Sequence, residues 1–488
     1  MHFWCRTPQQ ASRRNSCSTD AVVIGSGPNG LAAGITLARA GKSVVLYEAA
    51  GRVGGGLRSA ELTLPGFTHD ICSAVHPLGI ASPFFQNVPL ADHGLQWVHA
   101  EAPLAHPIAE DRAACVEHSL KATGAGFGGD ARAYERLLSP FCDPGSPLVP
   151  DLLAPLHWPQ HPWLLAKFGM QGMRSIEALV ESWFENEQTR AVFAGMAAHS
   201  MLELSDRPTA AVGLMFAITA HTGGWPFPRG GSEAIAVAMR GYFESLGGTV
   251  VVDTPIRSLA QLPATKAILF DVSPRQLVEI AGDELPRSYA ARLLKFRHGP
   301  GVFKLDWALD GPIPWRATAC ERAGTVHIGG TFAEVAEAER AVCQGRPAPR
   351  PFVLLAQPSR FDSSRAPAGK HTGWAYCHVP PACDIDMTDR IESQVERFAP
   401  GFRDLILARH RMYPADFERY NANYIDGDIS GGAMTLWQTF ARPVASRDPY
   451  RTPAQRLFLC SASTPPGPGV HGMCGWHAAQ SALRSVLK

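Results

Sequence analysis

The chain has 488 residues, of which 45% are hydrophobic and 9% aromatic; this is ample apolar material for a buried core and too long a chain for one small domain. The formal net charge is +1 and no dense basic run occurs, so nothing in the sequence favours nucleic-acid binding. Eleven cysteines are scattered without a Cys-x-x-Cys pair, which argues against a disulfide framework, a zinc site and a dithiol centre, and indicates a reducing compartment.

The chain begins with a polar segment, residues 1–19, that contains arginine and serine and no acidic residue. We interpret this segment as a disordered leader or a weak transit-like sequence outside the fold. No apolar run in the sequence is long enough to cross a bilayer. We therefore expect a cytoplasmic protein, with membrane association or a mitochondrial location as alternatives.

The first predicted elements are a strand, a glycine turn and a helix, in residues 20–30 (DAVVIGSGPNG). Gly25 permits the sharp turn, Gly27 lets the backbone approach a pyrophosphate, and Gly30 lets the helix pack closely on the strand. A second strand ends at Glu48, 18 residues after Gly30, where a carboxylate can bind the ribose hydroxyls. The spacing predicts a Rossmann unit that holds the phosphates of a dinucleotide at the helix N-terminus.

A second glycine-rich loop follows at once, in residues 52–58 (RVGGGLR). Its backbone can lie against a ligand, and its two arginines can face phosphates as bidentate donors. The alternative is a flexible surface turn. Residues 62–67 then predict a hairpin, and His69 and Asp70 after it form either an oriented base pair or a hairpin-stabilising pair.

Between residues 79 and 222 the dinucleotide pattern disappears. Apolar residues at helical spacing predict one helix over 175–201. The segment 147–159 is apolar, with prolines that exclude a long helix. We interpret it as a substrate lid or a membrane-contacting loop, with a buried connector as the alternative.

From residue 223 an α/β pattern returns, and strands at 302–307 and 351–357 then predict an antiparallel sheet in a second domain. Tyr376 and His378 lie on a further predicted strand and are candidates to line a pocket. The other elements predicted are a helix over 233–246, strands over 249–253 and 267–271, helices over 332–343 and 389–397, a strand over 457–460 and a helix over 472–486.

Four separated segments, 23–31, 52–55, 227–231 and 457–475, resemble the flavin-dependent phytoene desaturase and amine oxidase superfamily. The resemblance is greatest to its phytoene dehydrogenase-related branch, which residues 299–310 also resemble. It extends over nearly the whole chain after Asp20. It is specific for fold and cofactor and much less specific for substrate.

The resemblance implies an α/β fold with FAD as the cofactor. It implies a Rossmann-type FAD-binding domain built from discontinuous segments (20–78, 223–275 and 440–488) and an α+β substrate-binding domain with an antiparallel sheet (79–222 and 276–439). The C-terminal glycine-rich segment agrees with FAD, because an NAD enzyme needs no second segment of this kind. A helix beginning at 469–473 can direct N–H groups at the reduced ring.

Carried over residue by residue, the resemblance implies a complete FAD site. Its residues are Gly25, Ser26, Gly27 and Gly30 at the pyrophosphate; Glu48 at the adenosine ribose; Arg52, Gly54, Gly55 and Arg58 on the ribityl-phosphate side; Ile256 at the adenine; and Ser461, Ala462, Gly467, Val470, Gly472 and Met473 over the ribityl and flavin. Two positions depart from the pattern. Ser461 stands where many relatives have glycine, and Gly56 stands where many amine oxidases have arginine, which weakens an amine-oxidase interpretation.

We predict an FAD-dependent oxidoreductase that dehydrogenates an apolar polyene or isoprenoid, such as a carotenoid precursor, by hydride transfer to flavin N5. The sequence identifies no catalytic residue with a clear role and no metal site; His471 is a candidate proton acceptor or flavin hydrogen-bond partner, or else a structural histidine. The expected partners are an apolar small molecule and a membrane surface, with a homo-oligomer left open. The alternatives are an FAD-dependent oxidase of an amine or other small molecule, and an FAD-binding regulatory protein that acts through protein partners.

Overall fold

The computed structural model describes residues 19–143 and 148–488. The predicted leader lies outside the described residues except for Thr19, which begins the first strand. The first residue of the predicted segment 147–159 also lies outside them.

The strands of the described residues form two large sheets and two short pairs. They are β1 (Thr19–Ile24), β2 (Val44–Tyr47), β3 (Ser59–Glu61), β4 (Thr68–Asp70), β5 (Trp97–Val98), β6 (Ala102–Ala109), β7 (Arg112–Val116), β8 (Phe227–Pro228), β9 (Thr249–Val251), β10 (Thr265–Phe270), β11 (Gly301–Leu309), β12 (Ala323–Ile328), β13 (Val353–Ala356), β14 (His371–Val379), β15 (Ile406–Met412) and β16 (Leu457–Leu459).

The helices connect these strands, and several of them pack on the two large sheets. They are α1 (Pro28–Arg39), α2 (Pro77–Ala81), α3 (Pro83–Gln86), α4 (Leu120–Gly126), α5 (Ala131–Leu138), α6 (Leu148–Leu152), α7 (Pro162–Gly172), α8 (Ile176–Trp183), α9 (Glu187–Ala198), α10 (Thr209–Thr222), α11 (Glu233–Ser245), α12 (Pro274–Ala281), α13 (Arg287–Leu293), α14 (Thr318–Arg322), α15 (Phe332–Cys343), α16 (Thr388–Phe398), α17 (Pro414–Tyr420), α18 (Leu436–Phe440) and α19 (Met473–Ser485).

The first large sheet has five parallel strands in the order β16-β10-β1-β2-β9. Its strands are apolar on both faces because helices cover both. On one face, Val23 and its neighbours pack with α1, α11 and α19. Val22 and Ile268 on the other face pack with α12 and α13. This is a doubly wound sheet.

The second large sheet has seven strands in the order β15-β11-β14-β13-β12-β6-β7. Its neighbouring strands are antiparallel except for β6 and β12, which run parallel. The sheet is therefore mixed, whereas the sequence predicted an antiparallel sheet. The difference arises because β6 and β12 are more than 200 residues apart along the chain, so no local turn signal records their pairing.

The helix predicted over 175–201 is wrong, because two helices, α8 and α9, occupy this range. Phe184 between them has an extended backbone. The Asp130 carboxylate accepts hydrogen bonds of 2.9 Å from the backbone N–H groups of Glu185 and Asn186 at the break. A carboxylate from a distant segment thus holds the two residues that precede α9. The hairpin predicted at 62–67 is confirmed, since it joins the antiparallel pair β3 and β4.

Candidate functional site

A cavity of about 1150 Å³ lies between the two large sheets. On one side it meets the carboxyl ends of the parallel strands. The residues that line it there are Ile24 at the end of β1, Glu48 after β2, Asp271 after β10 and Ser461 beyond β16. This is the edge at which open parallel sheets bind their ligands. The opposite wall is one face of the seven-stranded sheet, so the cavity joins the two halves of the fold.

The glycine turn between β1 and α1 has the geometry that the sequence predicts. Gly25 has a φ of +97°, which favours glycine. A Cβ on Gly27 would lie 2.7 Å from Asp271 Oδ2, and a Cβ on Gly30 would overlap the carbonyl oxygen of Gly25. Gly25 and Gly27 line the cavity together with Ser26, whereas Gly30 is buried behind them.

Glu48 is a buried carboxylate fixed at the cavity wall. The backbone N–H of Ser26 donates to its Oε2 over 3.0 Å, and the Ser26 hydroxyl donates to the same oxygen. The backbone N–H of Ala50 donates to Oε1 over 2.8 Å, and Arg58 Nη2 lies 3.6 Å from Oε1. A ribose hydroxyl bound by Glu48 would therefore share or replace the position of the Ser26 hydroxyl.

The second glycine loop reaches the cavity only in part. Gly55 and Arg58 line it, and the Arg58 guanidinium lies 4.9 Å from the centre of the Tyr420 ring. Gly54 lies behind the wall, and Arg52 points away, with Nη1 3.0 Å from Glu233 Oε2 and half of its side chain exposed. The structure thus does not bring Arg52 to the predicted ribityl-phosphate position.

Gly56, the third glycine of the run, also lines the cavity. A Cβ there would overlap the hydroxyl of Tyr424. An arginine of the amine-oxidase pattern therefore has no room at this position while Tyr424 stands beside it.

The other predicted residues divide between the cavity wall and the layer behind it. Ile256, Ser461, Ala462 and Val470 line the cavity. The rest support the turn before α19: Gly467 packs against Arg442, Gly472 packs against Phe84, and Met473 is the first residue of the helix.

His471 is fully buried and does not line the cavity. Its Nδ1 accepts a 3.0 Å hydrogen bond from the backbone N–H of Met473, so the proton is on Nε2, which lies 3.2 Å from the carbonyl oxygen of Gly467. Burial lowers the pKa of His471 to about 4. Both nitrogens are thus engaged within the turn, and the structure places His471 as a structural histidine rather than a proton acceptor.

His69 and Asp70 do not interact as a pair, because successive residues of β4 point to opposite faces. Asp70 accepts from Ser59 Oγ and the Ser232 N–H, each over 2.7 Å, and pairs with Arg365. Burial alone would raise the pKa of Asp70, but the Arg365 guanidinium holds it below its usual value. His69 bonds instead to the Thr63 hydroxyl, 2.7 Å from Nε2. Both are therefore structural.

Of the two strand residues proposed to line a pocket, Tyr376 does so and His378 does not. His378 Nδ1 lies 2.8 Å from Glu339 Oε2, and both residues are buried. Within the described ranges, no group of three or more histidine, cysteine, aspartate or glutamate side chains could hold a metal ion.

Sequence reasoning missed a third wall, formed by residues 419–424 at the end of α17 and just after it. The Tyr420 hydroxyl donates a 2.5 Å hydrogen bond to the carbonyl oxygen of Gly55. Asn423 Nδ2 donates to the carbonyl oxygen of Asp271 over 3.0 Å. The sequence feature that could have indicated this wall is the cluster of asparagine, tyrosine and glycine in residues 420–432 (YNANYIDGDISGG), which is unusual for a loop that only connects two elements.

Asp271 was also missed. It is buried beside the glycine turn, where it lines the cavity, and its Oδ2 accepts a 2.9 Å hydrogen bond from the N–H of Gly30. Burial raises its pKa to about 7, the Gly30 and Gly27 N–H groups oppose this, and the charge of Glu48 adds to it. A carboxyl group that can be neutral near pH 7 therefore stands where the sequence predicts a pyrophosphate.

Residues 23–88 match the family described as NAD(P)-binding Rossmann-like domain. The chain is 25% identical to pyridine nucleotide-disulfide oxidoreductase domain-containing protein 2 of Rattus norvegicus, over 99% of this chain and 96% of that protein. It is 26% identical to the phytoene desaturase (lycopene-forming) of Pantoea ananas, over 64% and 66% of the two chains, and 26% identical to the phytoene dehydrogenase of Streptomyces griseus, over 92% of each. The chain is a homologue of these proteins. The resemblance found in the four separated segments is thus confirmed.

Two solved structures show the same fold. An oxidoreductase from Methanosarcina mazei superposes with a TM-score of 0.65 at 14% identity, over 96% of this chain and 100% of that chain. Putrescine oxidase bound to putrescine superposes with a TM-score of 0.61 at 17% identity, over 96% and 99%. The predicted fold class is confirmed: a parallel Rossmann-type sheet is joined to a second domain with its own sheet.

Proposed function

We propose that the chain is an FAD-dependent oxidoreductase that dehydrogenates an elongated apolar substrate. The observation that carries this proposal is the continuity of the cavity. It runs from Glu48 and Ile256, past the glycine turn and Val470, to the wall of the seven-stranded sheet. Such length suits a dinucleotide placed end to end with a second molecule.

The residues at the parallel-sheet end fit FAD. The glycine turn presents backbone N–H groups at the start of α1, where a pyrophosphate binds. Gly25 and Gly27 line the cavity at this point, so their backbone is open to a phosphate group. Glu48 would bind the ribose, and residues 461–470 would lie along the ribityl and flavin. When bound, FAD accepts a hydride from a substrate C–H bond at N5, with a proton released and the electrons passed on to oxygen, a quinone or another acceptor.

The far end of the cavity fits an apolar substrate. Phe168, Met215, Phe216 and Leu354 are among the side chains that line it. Such a lining excludes water and orients a hydrocarbon chain with few polar constraints. The relatives named phytoene desaturase support a polyene or isoprenoid as the substrate class.

The test is the visible spectrum of the purified protein before and after anaerobic addition of phytoene in detergent. We expect an oxidised flavin spectrum that phytoene bleaches. A flavin that stays oxidised with phytoene and is reduced by an amine would favour the amine-oxidase alternative. A flavin that no metabolite reduces, together with a stable protein partner, would favour the regulatory alternative. A protein that takes up no FAD would contradict the proposal.

We also propose that residues 148–172 contact a membrane surface from which the substrate enters. Phe168 of α7 lines the cavity, whereas Trp163 of the same helix is 85% exposed and Trp158 just before it is 88% exposed. Exposed tryptophans are suited to the lipid interface. No helix in the described part of the chain is long and apolar enough to span a bilayer, so the contact would be peripheral.

The membrane proposal is tested by sedimentation with phosphatidylcholine vesicles. We expect the double substitution Trp158→Glu and Trp163→Glu to abolish binding. Val237→Glu is the matched control, because Val237 is an exposed apolar residue on α11 that does not line the cavity. Unchanged binding of the double variant would contradict the proposal.

A further inference from the structure

Helix α18 carries its apolar side chains on the outside of the molecule. Leu436, Trp437 and Phe440 are 37%, 71% and 45% exposed. Phe440 lies four and three residues after the other two, which puts all three on one side of the helix. The polar side chains point inwards: Gln438 is buried, and Thr439 lines the cavity. A surface helix that faces water has the opposite pattern, so the outer side of α18 is suited to an environment less polar than water.

The segment that follows α13 packs beside α18. Gln438 Oε1 accepts a 2.9 Å hydrogen bond from the backbone N–H of Arg297, and Gln438 Nε2 donates over 2.9 Å to the carbonyl oxygen of Arg297. Leu294 in this segment is 57% exposed, and Lys295 and Arg297 are exposed as well. The two segments therefore form one surface, which we call the basic aromatic face. It consists of Leu294, Lys295, Arg297, Leu436, Trp437 and Phe440.

The cations of this region have no counter-ions. Residues 285–300 and 429–447 contain no aspartate or glutamate. The exposed cations in these two ranges form no ion pair within the described residues; they are Arg287, Arg292, Lys295, Arg297 and Arg447. Since the whole chain has a formal net charge of only +1, this is a local concentration of positive charge. Unpaired cations beside exposed aromatic side chains fit a surface that has negative charge outside and apolar material beneath it.

The basic aromatic face lies on the outside of the cavity wall. Met434 just before α18 and Thr439 within it line the cavity, whereas Trp437 is exposed. Helix α7 has the same arrangement, because its Phe168 lines the cavity and its Trp163 is exposed. Two separate helices thus carry an exposed tryptophan on the outside of one cavity. A bilayer that contacts both helices supplies an apolar substrate without its passage through water.

We propose that the basic aromatic face binds the surface of a bilayer that contains anionic lipids. Trp437 and Phe440 enter the interfacial layer, and Lys295 and Arg297 bind the negatively charged headgroups. A second copy of the chain is a poor occupant, because a twofold contact would place these cations against one another. The proposal rests on the proposed function for the presence of a bilayer at the cavity. It deepens that function by naming the lipid class and by adding a contact to the one at residues 148–172.

The test is sedimentation of the purified protein with two kinds of vesicle, phosphatidylcholine alone and phosphatidylcholine mixed with phosphatidylglycerol. We expect the wild type to bind the anionic vesicles at least about tenfold more tightly. Lys295→Gln combined with Arg297→Gln should weaken binding to the anionic vesicles about 30-fold, which corresponds to about 1 kcal/mol for each cation, and should leave binding to phosphatidylcholine unchanged. Trp437→Glu combined with Phe440→Glu should weaken binding to both kinds of vesicle.

The matched control for the charge variant is Arg112→Gln combined with Lys121→Gln. Both side chains are exposed and form no ion pair within the described residues, and they lie on β7 and α4. Equal binding of the wild type to the two kinds of vesicle would overturn the proposal. A loss in the Lys295 and Arg297 variant no larger than that of the control would do so too. A wild-type dimer that Trp437→Glu converts to a monomer, with vesicle binding unchanged, would assign the face to a second copy instead.

The same samples separate this proposal from those on which it rests. Binding to both kinds of vesicle without a preference overturns the role of the basic aromatic face and leaves the contact at residues 148–172 standing. Binding to neither kind overturns both membrane contacts. The FAD content is measured by absorbance. A preference for anionic vesicles that depends on Lys295 and Arg297, in a protein that takes up no FAD, supports the lipid contact and overturns the FAD-dependent function.

Discussion

At the parallel-sheet end of the cavity, the carboxylates of Glu48 and Asp271 accept hydrogen bonds from backbone N–H groups of the glycine turn and its neighbours. At the other end, Thr325 and Trp374 keep buried polar atoms without partners. The protein itself therefore fixes the carboxylates of the first end, whereas these polar atoms at the second end have no such support. Substitutions at the first end should cost stability or cofactor binding, and removal of an unpaired polar atom at the second end should not.

The largest effect is expected for Gly30→Ala. The added Cβ would overlap the carbonyl oxygen of Gly25, so the turn and the start of α1 must both shift. We expect loss of bound FAD and a fall of several kcal/mol in the free energy of unfolding. The matched control is Gly169→Ala in α7, where a Cβ meets nothing within 4 Å, and which should stabilise by about 1 kcal/mol. Flavin absorbance measures the FAD content of the two variants, and urea unfolding measures their stability. An FAD content of Gly30→Ala equal to that of the wild type would contradict the assignment of the turn to cofactor binding.

A pH-dependent effect is expected for Asp271→Asn. Between the unfolded pKa near 3.8 and the folded pKa of about 7, the folded apoprotein holds one more proton than the unfolded chain. Its stability therefore falls as pH rises through this window, by on the order of 4 kcal/mol in total. Asparagine keeps an oxygen that can accept from Gly30 and removes the titration. Urea unfolding from pH 5 to 8 measures the free energy of unfolding, which should depend less on pH in the variant than in the wild type. An equal pH dependence in the two proteins would mean that Asp271 is ionised in the folded state.

The contrast between the ends also explains what could be predicted from sequence. The glycine turn and Glu48 lie within 30 residues of one another, and each residue type has a local reason for its position. The dinucleotide-binding pattern can therefore be predicted from the sequence. Asp271 and Tyr424 reach the same site from more than 200 residues away, through strand order and loop packing that no local spacing records. The role of His471 stayed open between a flavin contact and a structural histidine for a related reason: the direction of its ring depends on its hydrogen bonds with Gly467 and Met473.

A smaller effect is expected for Glu48→Gln. The amide keeps the shape of the side chain but loses the charge and one acceptor oxygen for the ribose. Since a hydrogen bond to a charged group contributes about 1.5–3 kcal/mol, FAD affinity should fall roughly 10- to 150-fold. Glu279→Gln is the control, because Glu279 also lines the cavity, and its ion pair is with Arg275 on the same helix. Titration of the apoprotein with FAD measures the affinity of each variant. Equal affinities of Glu48→Gln and Glu279→Gln would show that Glu48 does not contact the cofactor.

The smallest effect is expected for the stability of Thr325→Val, which should differ in sign from the effect of removing a threonine hydroxyl that has a hydrogen-bond partner. Valine has nearly the shape of threonine, and the lost hydroxyl has no partner in the protein, so the apoprotein should gain about 1 kcal/mol. Thr219→Val provides the opposite case, since Thr219 Oγ1 donates a 3.0 Å hydrogen bond to the carbonyl oxygen of Phe216 and its removal should destabilise. FAD content should be unchanged in both variants. A loss of stability in Thr325→Val equal to that of Thr219→Val would mean that Thr325 has a hydrogen-bond partner within the apoprotein, and the contrast between the hydrogen-bonded carboxylates of the first end and the unpaired polar atoms of the second would then fail at this residue.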